Sequence, residues 1–161
     1  CTAHRGEDVG KNYEFDLTLD DLLDFFCSNE TIEKEWKCAK CKEKVNITKK
    51  FSLFYLPKLL IICLKRFRGY SKNSDYIEFP LENFDMGKYI CENGPDKEYS
   101  QSSLFSGSQH YGGTGGGHYT AICKNVDGNW YHYNDSSASR ASPENVVTSA
   151  AYVLFYRRKN W

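Results

Sequence analysis

Apolar residues recur with a helical period near the start of the chain. Leu19, Leu22, Leu23 and Phe26 fall at i, i+3, i+4 and i+7, and Thr18-Leu19-Asp20-Asp21 has the form of a capping box, so a short helix is predicted from about Leu19 to Cys27. Glu30 to Lys50 is charged and carries Cys38-Ala39-Lys40-Cys41, which reads as a tight turn between polar arms. Val45, Ile47, Phe51, Leu53 and Tyr55 then suggest extended chain. After Pro57, Leu59-Leu60-Ile61-Ile62-Cys63-Leu64 is a continuous apolar run, too short for a good helix and rich in strand formers. That is the pattern of a fully buried central strand. Lys65-Arg66-Phe67 ends it.

The later half reads mostly as antiparallel sheet. Gly69 to Tyr76 is polar loop, Ile77 to Leu81 is short and extended, and Cys91 to Gly117 is turn-rich. Strands are predicted at His118 to Lys124, Asn129 to Asn134 and Ala151 to Arg157, with Asp127-Gly128 as a hairpin turn between the first two. Ser142-Pro143 has the form of a helix start, serine as cap and proline at the first helical position. Six of the twelve glycines lie between Gly107 and Gly117, so this stretch is expected to be a loop of unusual conformational freedom.

With 161 residues, 40% hydrophobic and 16% aromatic, the chain suffices for one packed core and reads as a single globular unit. Its 21 basic and 21 acidic side chains cancel, so no global field points to nucleic acid or to an anionic membrane surface. No apolar run approaches the roughly 20 residues that span a bilayer, and Cys1-Thr2-Ala3-His4-Arg5 lacks the apolar core of a signal peptide. Seven irregularly spaced cysteines fit a reducing compartment better than a disulfide framework, and together these features lead us to expect a soluble, intracellular chain.

The most specific chemistry lies at His118, which ends the glycine run and precedes Asn134-Asp135 at the end of an aromatic strand. A histidine delivered by a loop onto a strand, with an amide or carboxylate on the next strand to hold its ring, is how a base for a cysteine nucleophile can be built. An isolated histidine at a strand start is more often structural; the joint occurrence of loop, histidine, aromatic strand and Asn134-Asp135 favours chemistry. The glycine run is no phosphate loop, because no Lys-Ser/Thr follows and no helix begins. His110 reads as a loop-anchoring residue and His132 as a strand residue. Cys38 and Cys41 have the spacing of half a tetrahedral thiolate zinc site, and Cys1 and His4 are a candidate completing pair. The plainer alternative is two unpaired thiols in a degenerate finger. Cys63 and Cys123 read as small core residues, Cys27 closes the helix and Cys91 sits in a loop.

Trp36-Lys37-Cys38-Ala39-Lys40-Cys41, Leu56-Pro57 through Leu64-Lys65-Arg66-Phe67, Phe79-Pro80-Leu81, His110-Tyr111-Gly112-Gly113, Gly116-Gly117-His118-Tyr119-Thr120-Ala121, Trp130 through Asn134-Asp135-Ser136 and Ala151 through Tyr156 resemble segments of one family. That family is the ubiquitin-specific proteases, papain-like cysteine peptidases that cut after the C-terminal glycine of ubiquitin. Order and spacing match from about Leu17 to Arg157. The resemblance implies a partial α+β papain-like fold, mainly an antiparallel palm sheet with part of the fingers and short helices. Residues 1–55 would be the helix and partial fingers, and residues 56–161 the palm.

The resemblance further implies that His118 is the general base and that Asn134 holds the third triad position, with Asp135 as a supporting residue. Which of the two touches His118 the sequence leaves open. Tyr111, Gly112, Gly113, Gly116, Gly117 and Tyr119 would line the channel for the ubiquitin tail, the glycine run forming a blocking loop. Cys38 and Cys41 would hold a structural zinc. Nothing like Gly-Asn-Thr-Cys-Tyr occurs, so the chain resembles only the later half of the catalytic domain, and the nucleophile is expected in an upstream Cys-box half. The implied function is hydrolysis of the (iso)peptide bond after ubiquitin's terminal glycine, this chain alone being inactive. Ubiquitin, ubiquitinated proteins and the Cys-box half are the expected partners. A non-catalytic ubiquitin-binding or scaffold module is the alternative, and a zinc-stabilised interaction domain unrelated to ubiquitin a third.

Overall fold

A capping box begins the first helix of the computed structural model, which describes residues 17–95 and 99–159, the Glu35 side chain excepted. Strand β1 (Leu17–Thr18) leads into α1 (Leu19–Phe26). The Thr18 hydroxyl accepts the Asp21 N–H at 3.1 Å and the Asp21 carboxylate accepts the Thr18 N–H at 2.9 Å, so two helix-start donors are satisfied reciprocally. Cys27 is the C-cap, its N–H donating to the Leu23 carbonyl. β2 (Glu30–Lys37) and β3 (Lys44–Lys49) form a hairpin around Cys38 to Cys41. The extended chain expected to continue through Phe51 and Tyr55 stops at Lys49. Phe51 leaves the ladder to stack on Phe26 at 5.3 Å between ring centroids, and Leu53 pairs instead with Ile90.

The chain continues as β4 (Leu59–Cys63), a small hairpin of β5 (Phe67–Arg68) and β6 (Ser71–Lys72), then β7 (Ile77–Glu78) and β8 (Phe84–Asp85). Five strands follow: β9 (Gln101–Gly113), β10 (Gly116–Lys124), β11 (Trp130–Asn134), β12 (Ser137–Ala141) and β13 (Ala151–Arg158). One seven-stranded antiparallel sheet has the lateral order β12-β11-β10-β9-β13-β4, with β8 pairing to the start of β9. The mainly antiparallel α+β architecture expected from the resemblance is thus present.

Four local expectations need correction. The apolar run of β4 is an edge strand among the described residues, pairing only with β13. Leu60 and Ile62 pack on the core, while Leu59, Ile61 and Cys63 face outward and are exposed, so Cys63 is no core residue. The central strand is β9, where turns were expected. Its serines and glycines give no apolar signal, yet pairing with β10 on one side and β13 on the other satisfies its backbone. The polar loop from Gly69 contains the β5–β6 hairpin, and Ser-Ala-Ser-Arg-Ala forms β12 with no hydrophobic alternation because β11 supplies its ladder partners. Ser142-Pro143 opens only one 3-10 turn, Pro143–Asn145, with no side-chain cap.

The core lies under one face of the sheet. Leu104, Ile122, Leu154 and Tyr156 project from it onto Leu19 of α1 and onto Leu56, Phe84 and Met86. Tyr156 is wholly buried and its hydroxyl donates to the Pro80 carbonyl at 2.8 Å, so the phenol carries its partner inward; burial pushes its pKa up. Arg66, 3% exposed, donates from Nε to the Ala151 carbonyl at 2.6 Å and from Nη1 to the Asn73 and Asp75 carbonyls. It ties the end of β4 to the start of β13, and burial holds its pKa below the usual arginine value. No helix among the described residues is long and apolar enough to cross a membrane.

Leu154→Ala, at a 1% exposed core position, is expected to lower unfolding free energy by about 2–5 kcal/mol. Ile61→Ala, at a 61% exposed position on β4, is expected to cost less than about 1 kcal/mol. Denaturant titration of both checks this, and equal losses would mean that the outward face of β4 is covered.

Candidate active site

Sheet pleating and a tight hairpin bring the candidate residues together. Gly113 pairs with Gly116, so the turn between β9 and β10 is only Thr114-Gly115 and the glycine run is ladder rather than a free loop. Two of its glycines answer a steric demand. Gly112 has φ +99°, and a Cβ there would lie 2.6 Å from the Gly116 carbonyl oxygen. At Gly117 a Cβ would collide with His110 Nε2 and sit 2.5 Å from the Tyr111 carbonyl oxygen. Cβ atoms at Gly113, Gly115 and Gly116 would meet only open space. The β5–β6 hairpin braces this one: Lys72 Nζ donates to the His110 carbonyl at 2.6 Å, and Thr114 Oγ1 to the Tyr70 carbonyl at 3.2 Å.

His118 stands opposite Tyr111 in the β9–β10 ladder. On its other side Ala121 pairs with Tyr133, a register that continues to set Asn134 beside Thr120, two residues from His118 and on the same face. His118 Nε2 lies 2.6 Å from Asn134 Oδ1 and 3.9 Å from Asp135 Oδ2. An amide oxygen can only accept, so Nε2 carries the hydrogen and Nδ1 keeps a free lone pair. The choice left open between two neighbours therefore falls on Asn134 for the direct bond. Asp135 occupies the turn to β12 with φ 50°, its side chain 79% exposed, and adds a nearby negative charge. The His118 side chain is 49% exposed and open to an incoming group.

Tyr119 departs from expectation. Alternation along β10 turns it away from His118 to the opposite face, where its ring lies 4.6 Å from that of His110. Lining on the His118 face falls instead to Tyr111. His110 is 4% exposed and sits within β9 rather than in a loop, its ring edge-on to Phe67 at 5.4 Å. Burial pushes its pKa down and the Lys72 ammonium acts in the same direction, so it favours the neutral form. His132 lies in β11, as its pattern suggested, and Cys123 is half-buried with Sγ 3.2 Å from Ser106 Oγ. Lys72 and Arg66 brace the site without any catalytic motif of their own; their signal was two cations beside short polar loops.

Cys38 and Cys41 sit at the tip of the β2–β3 hairpin. Backbone N–H groups of Cys41 and Lys40 aim at the Cys38 sulfur and lower its pKa, with the Cys41 side chain adding to the effect. Such a pair suits a soft cation, but no group of three or more metal-ligating residues occurs among the described residues. Cys1 and His4 lie outside the described residues.

An imidazole fixed by an asparagine, with its other nitrogen free to accept a proton, is an arrangement that can act as a general base. The family model described as "Ubiquitin carboxyl-terminal hydrolase" matches residues 24–156, and the chain belongs to that family. It is 42% identical over 152 residues to human ubiquitin carboxyl-terminal hydrolase 15, covering 89% of this chain and 15% of that protein. It is 40% identical to bovine ubiquitin carboxyl-terminal hydrolase 4, covering 89% of this chain and 16% of the relative. Among solved structures it resembles the yeast SAGA DUBm with a TM-score of 0.79 and 30% identity, over 89% of this chain and 33% of that one. A SAGA DUB module of Ubp8, Sgf11, Sus1 and Sgf73 bound to monoubiquitin gives 0.77, with 30% identity and the same coverage. The chain thus spans about one sixth of the curated relatives' length.

Gly117→Ala is expected to destabilise the fold by about 1–3 kcal/mol through overpacking against His110, whereas Gly113→Ala stays within about 0.5 kcal/mol. Chemical denaturation of the two variants measures the difference; a reversed order would contradict the close-approach account.

Proposed function

We propose that this chain supplies the base half of a thiol-dependent deubiquitinating peptidase that hydrolyses the peptide or isopeptide bond after the C-terminal glycine of ubiquitin. His118 is the general base and acid, Asn134 orients its ring, and Asp135 stabilises the imidazolium from 3.9 Å. The observation that carries this reading is the 2.6 Å bond from His118 Nε2 to Asn134, which leaves Nδ1 bare on an exposed side chain.

A free thiol titrates near ~8.5, so at neutral pH it needs an adjacent base. His118 Nδ1 takes the thiol proton, and the thiolate attacks the carbonyl carbon of the terminal glycine. The imidazolium returns the proton to the leaving amine as the carbon–nitrogen bond breaks, giving a thioester. His118 then takes one proton from water, which attacks the thioester; the C–S bond breaks, the imidazolium returns that proton to the departing thiolate, and the carboxylic acid so formed loses its own proton to solvent. Asn134 fixes the tautomer without adding charge, which suffices because a thiolate is intrinsically nucleophilic.

The nucleophile belongs to a Cys-box segment of the complete polypeptide. The edge of β4, unpaired among the described residues, and its outward Leu59 and Ile61 support a docking place for further chain there. Tyr111, Gly112, Gly113, Gly116 and Gly117 form the wall past which the ubiquitin tail runs; three glycines of the run whose missing side chains the fold does not require leave backbone bare to that tail. Tyr119 supports this wall from the far face. In this reading residues 1–55 are the helix and partial fingers, and residues 56–161 the palm. Cys38 and Cys41 would hold a structural zinc with two further ligands, pinning the hairpin tip.

In the complete polypeptide, His118→Ala is expected to reduce kcat on a ubiquitin C-terminal amide by about 10²–10⁴-fold, with ubiquitin affinity unchanged. Asn134→Asp retains most activity and Asn134→Ala loses an intermediate share. Steady-state kinetics and labelling by ubiquitin bearing a C-terminal electrophile read both; retained turnover in His118→Ala rejects the base assignment, and binding without labelling identifies a non-catalytic ubiquitin-binding module.

A further inference from the structure

On the core-facing side of the sheet, one row from His118, a buried amide gathers three hydroxyl groups. Gln109 is 2% exposed. Its Oε1 accepts from Tyr111 Oη at 3.1 Å and from Thr120 Oγ1 at 3.1 Å, while Nε2 donates to Thr148 Oγ1 at 3.3 Å. Burying an amide is costly unless it is hydrogen-bonded, and an aliphatic side chain would meet packing alone more cheaply. What the amide adds is a tether. Thr120 and Thr148 are fixed parts of β10 and of the segment before β13, so Gln109 is held rigidly and in turn holds the Tyr111 phenol.

Tyr111 is the member of this network that faces solvent, being 45% exposed. It stands directly across the ladder from His118, and Gly112 and Gly113 follow it. An exposed aromatic ring normally keeps its rotamer freedom; here the residue pairs with His118 across the ladder while its hydroxyl is drawn down onto a buried acceptor. The result is one tethered side chain next to glycine backbone with open space at Gly113 and Gly116, a surface along which an extended chain with no side chains can lie. A wall ordered before the ligand arrives lowers the entropy lost on binding.

We propose that Gln109 is a positioning residue that locks Tyr111 as a wall of the channel beside His118, and that the locked Tyr111 is a determinant of affinity for the extended C-terminal glycine tail of the substrate. This rests on the deubiquitinating reading of the site. The role is in binding: Asn134, not Tyr111, makes the hydrogen bond to the His118 ring.

The test is hydrolysis of a ubiquitin C-terminal aminocoumarin amide by the complete polypeptide. Tyr111→Phe keeps the ring and removes the tethered hydroxyl; Gln109→Leu removes the acceptor. Each is expected to raise KM about three- to tenfold, the worth of one neutral hydrogen bond, with kcat and its pH profile unchanged. Because both act on one tether, the double variant raises KM no further than Gln109→Leu alone. Leu154→Ala, in the core and outside this network, should lower Tm while leaving KM in place, which separates positioning from plain stability. Should Gln109→Leu fail to fold, Tyr111→Phe carries the test. Hydrolysis by the unsubstituted protein with KM unchanged in Tyr111→Phe, a fall in kcat at constant KM, or multiplying KM effects overturns the inference alone. No hydrolysis by the unsubstituted protein overturns the deubiquitinating reading and the inference with it.

Discussion

The hydrogen bond from His118 Nε2 to Asn134 Oδ1, 2.6 Å long, is the interaction on which the site depends. It decides which ring nitrogen carries hydrogen and therefore which one is left to take a proton. Its geometry is inherited from the β10–β11 ladder, whose register is fixed by the pairs from Ala121 with Tyr133 to Lys124 with Trp130. A slip of one residue would send His118 and Asn134 to opposite faces. The sheet thus acts as the ruler that sets a side-chain distance, and the tight turns at Thr114-Gly115 and Asp135-Ser136 keep the ruler from sliding.

On the other flank, β9 does two jobs with neighbouring residues on opposite faces. Gln109 and Tyr111 face the His118 side, while His110 between them packs with Phe67, Tyr119 and Tyr152 on the reverse. The close seat of His110 against Gly117 locks the hairpin where β10 begins to present the imidazole. Lys72 pins the His110 carbonyl from the β5–β6 hairpin. The His118 side chain is exposed enough for chemistry, while β9, β10 and β11 around it are paired in one sheet.

Much of this was readable before the fold was known, for reasons that differ by element. The capping box at Thr18 and the i, i+3, i+4 pattern report a local decision, so α1 came out within a residue. The proximity of His118 to Asn134 and Asp135 was legible from the joint occurrence of glycine run, histidine and aromatic strand ending in Asn134-Asp135; choosing between the two needed the register and the turn at Asp135. β9 was hidden because Leu104 and Phe105 are its only aliphatic or phenylalanine residues and the strand is otherwise enforced by pairing with β10 and β13. β4 misled in the opposite sense: its six-residue apolar run signals burial on both faces, whereas among the described residues only one face is covered. Tyr119 shows the limit of adjacency, since the next residue on a strand points the other way. Gln109 carried no signal, because a glutamine shows its value only when three hydroxyls meet it.

The account is tested most directly by long-range nitrogen–proton NMR correlation of the His118 ring in the folded protein, at a pH where the imidazole is neutral. A ring with hydrogen on Nε2 and a bare Nδ1, shifting to a mixture of tautomers in Asn134→Ala, is the predicted result. Hydrogen on Nδ1, or a tautomer balance indifferent to Asn134, would contradict it.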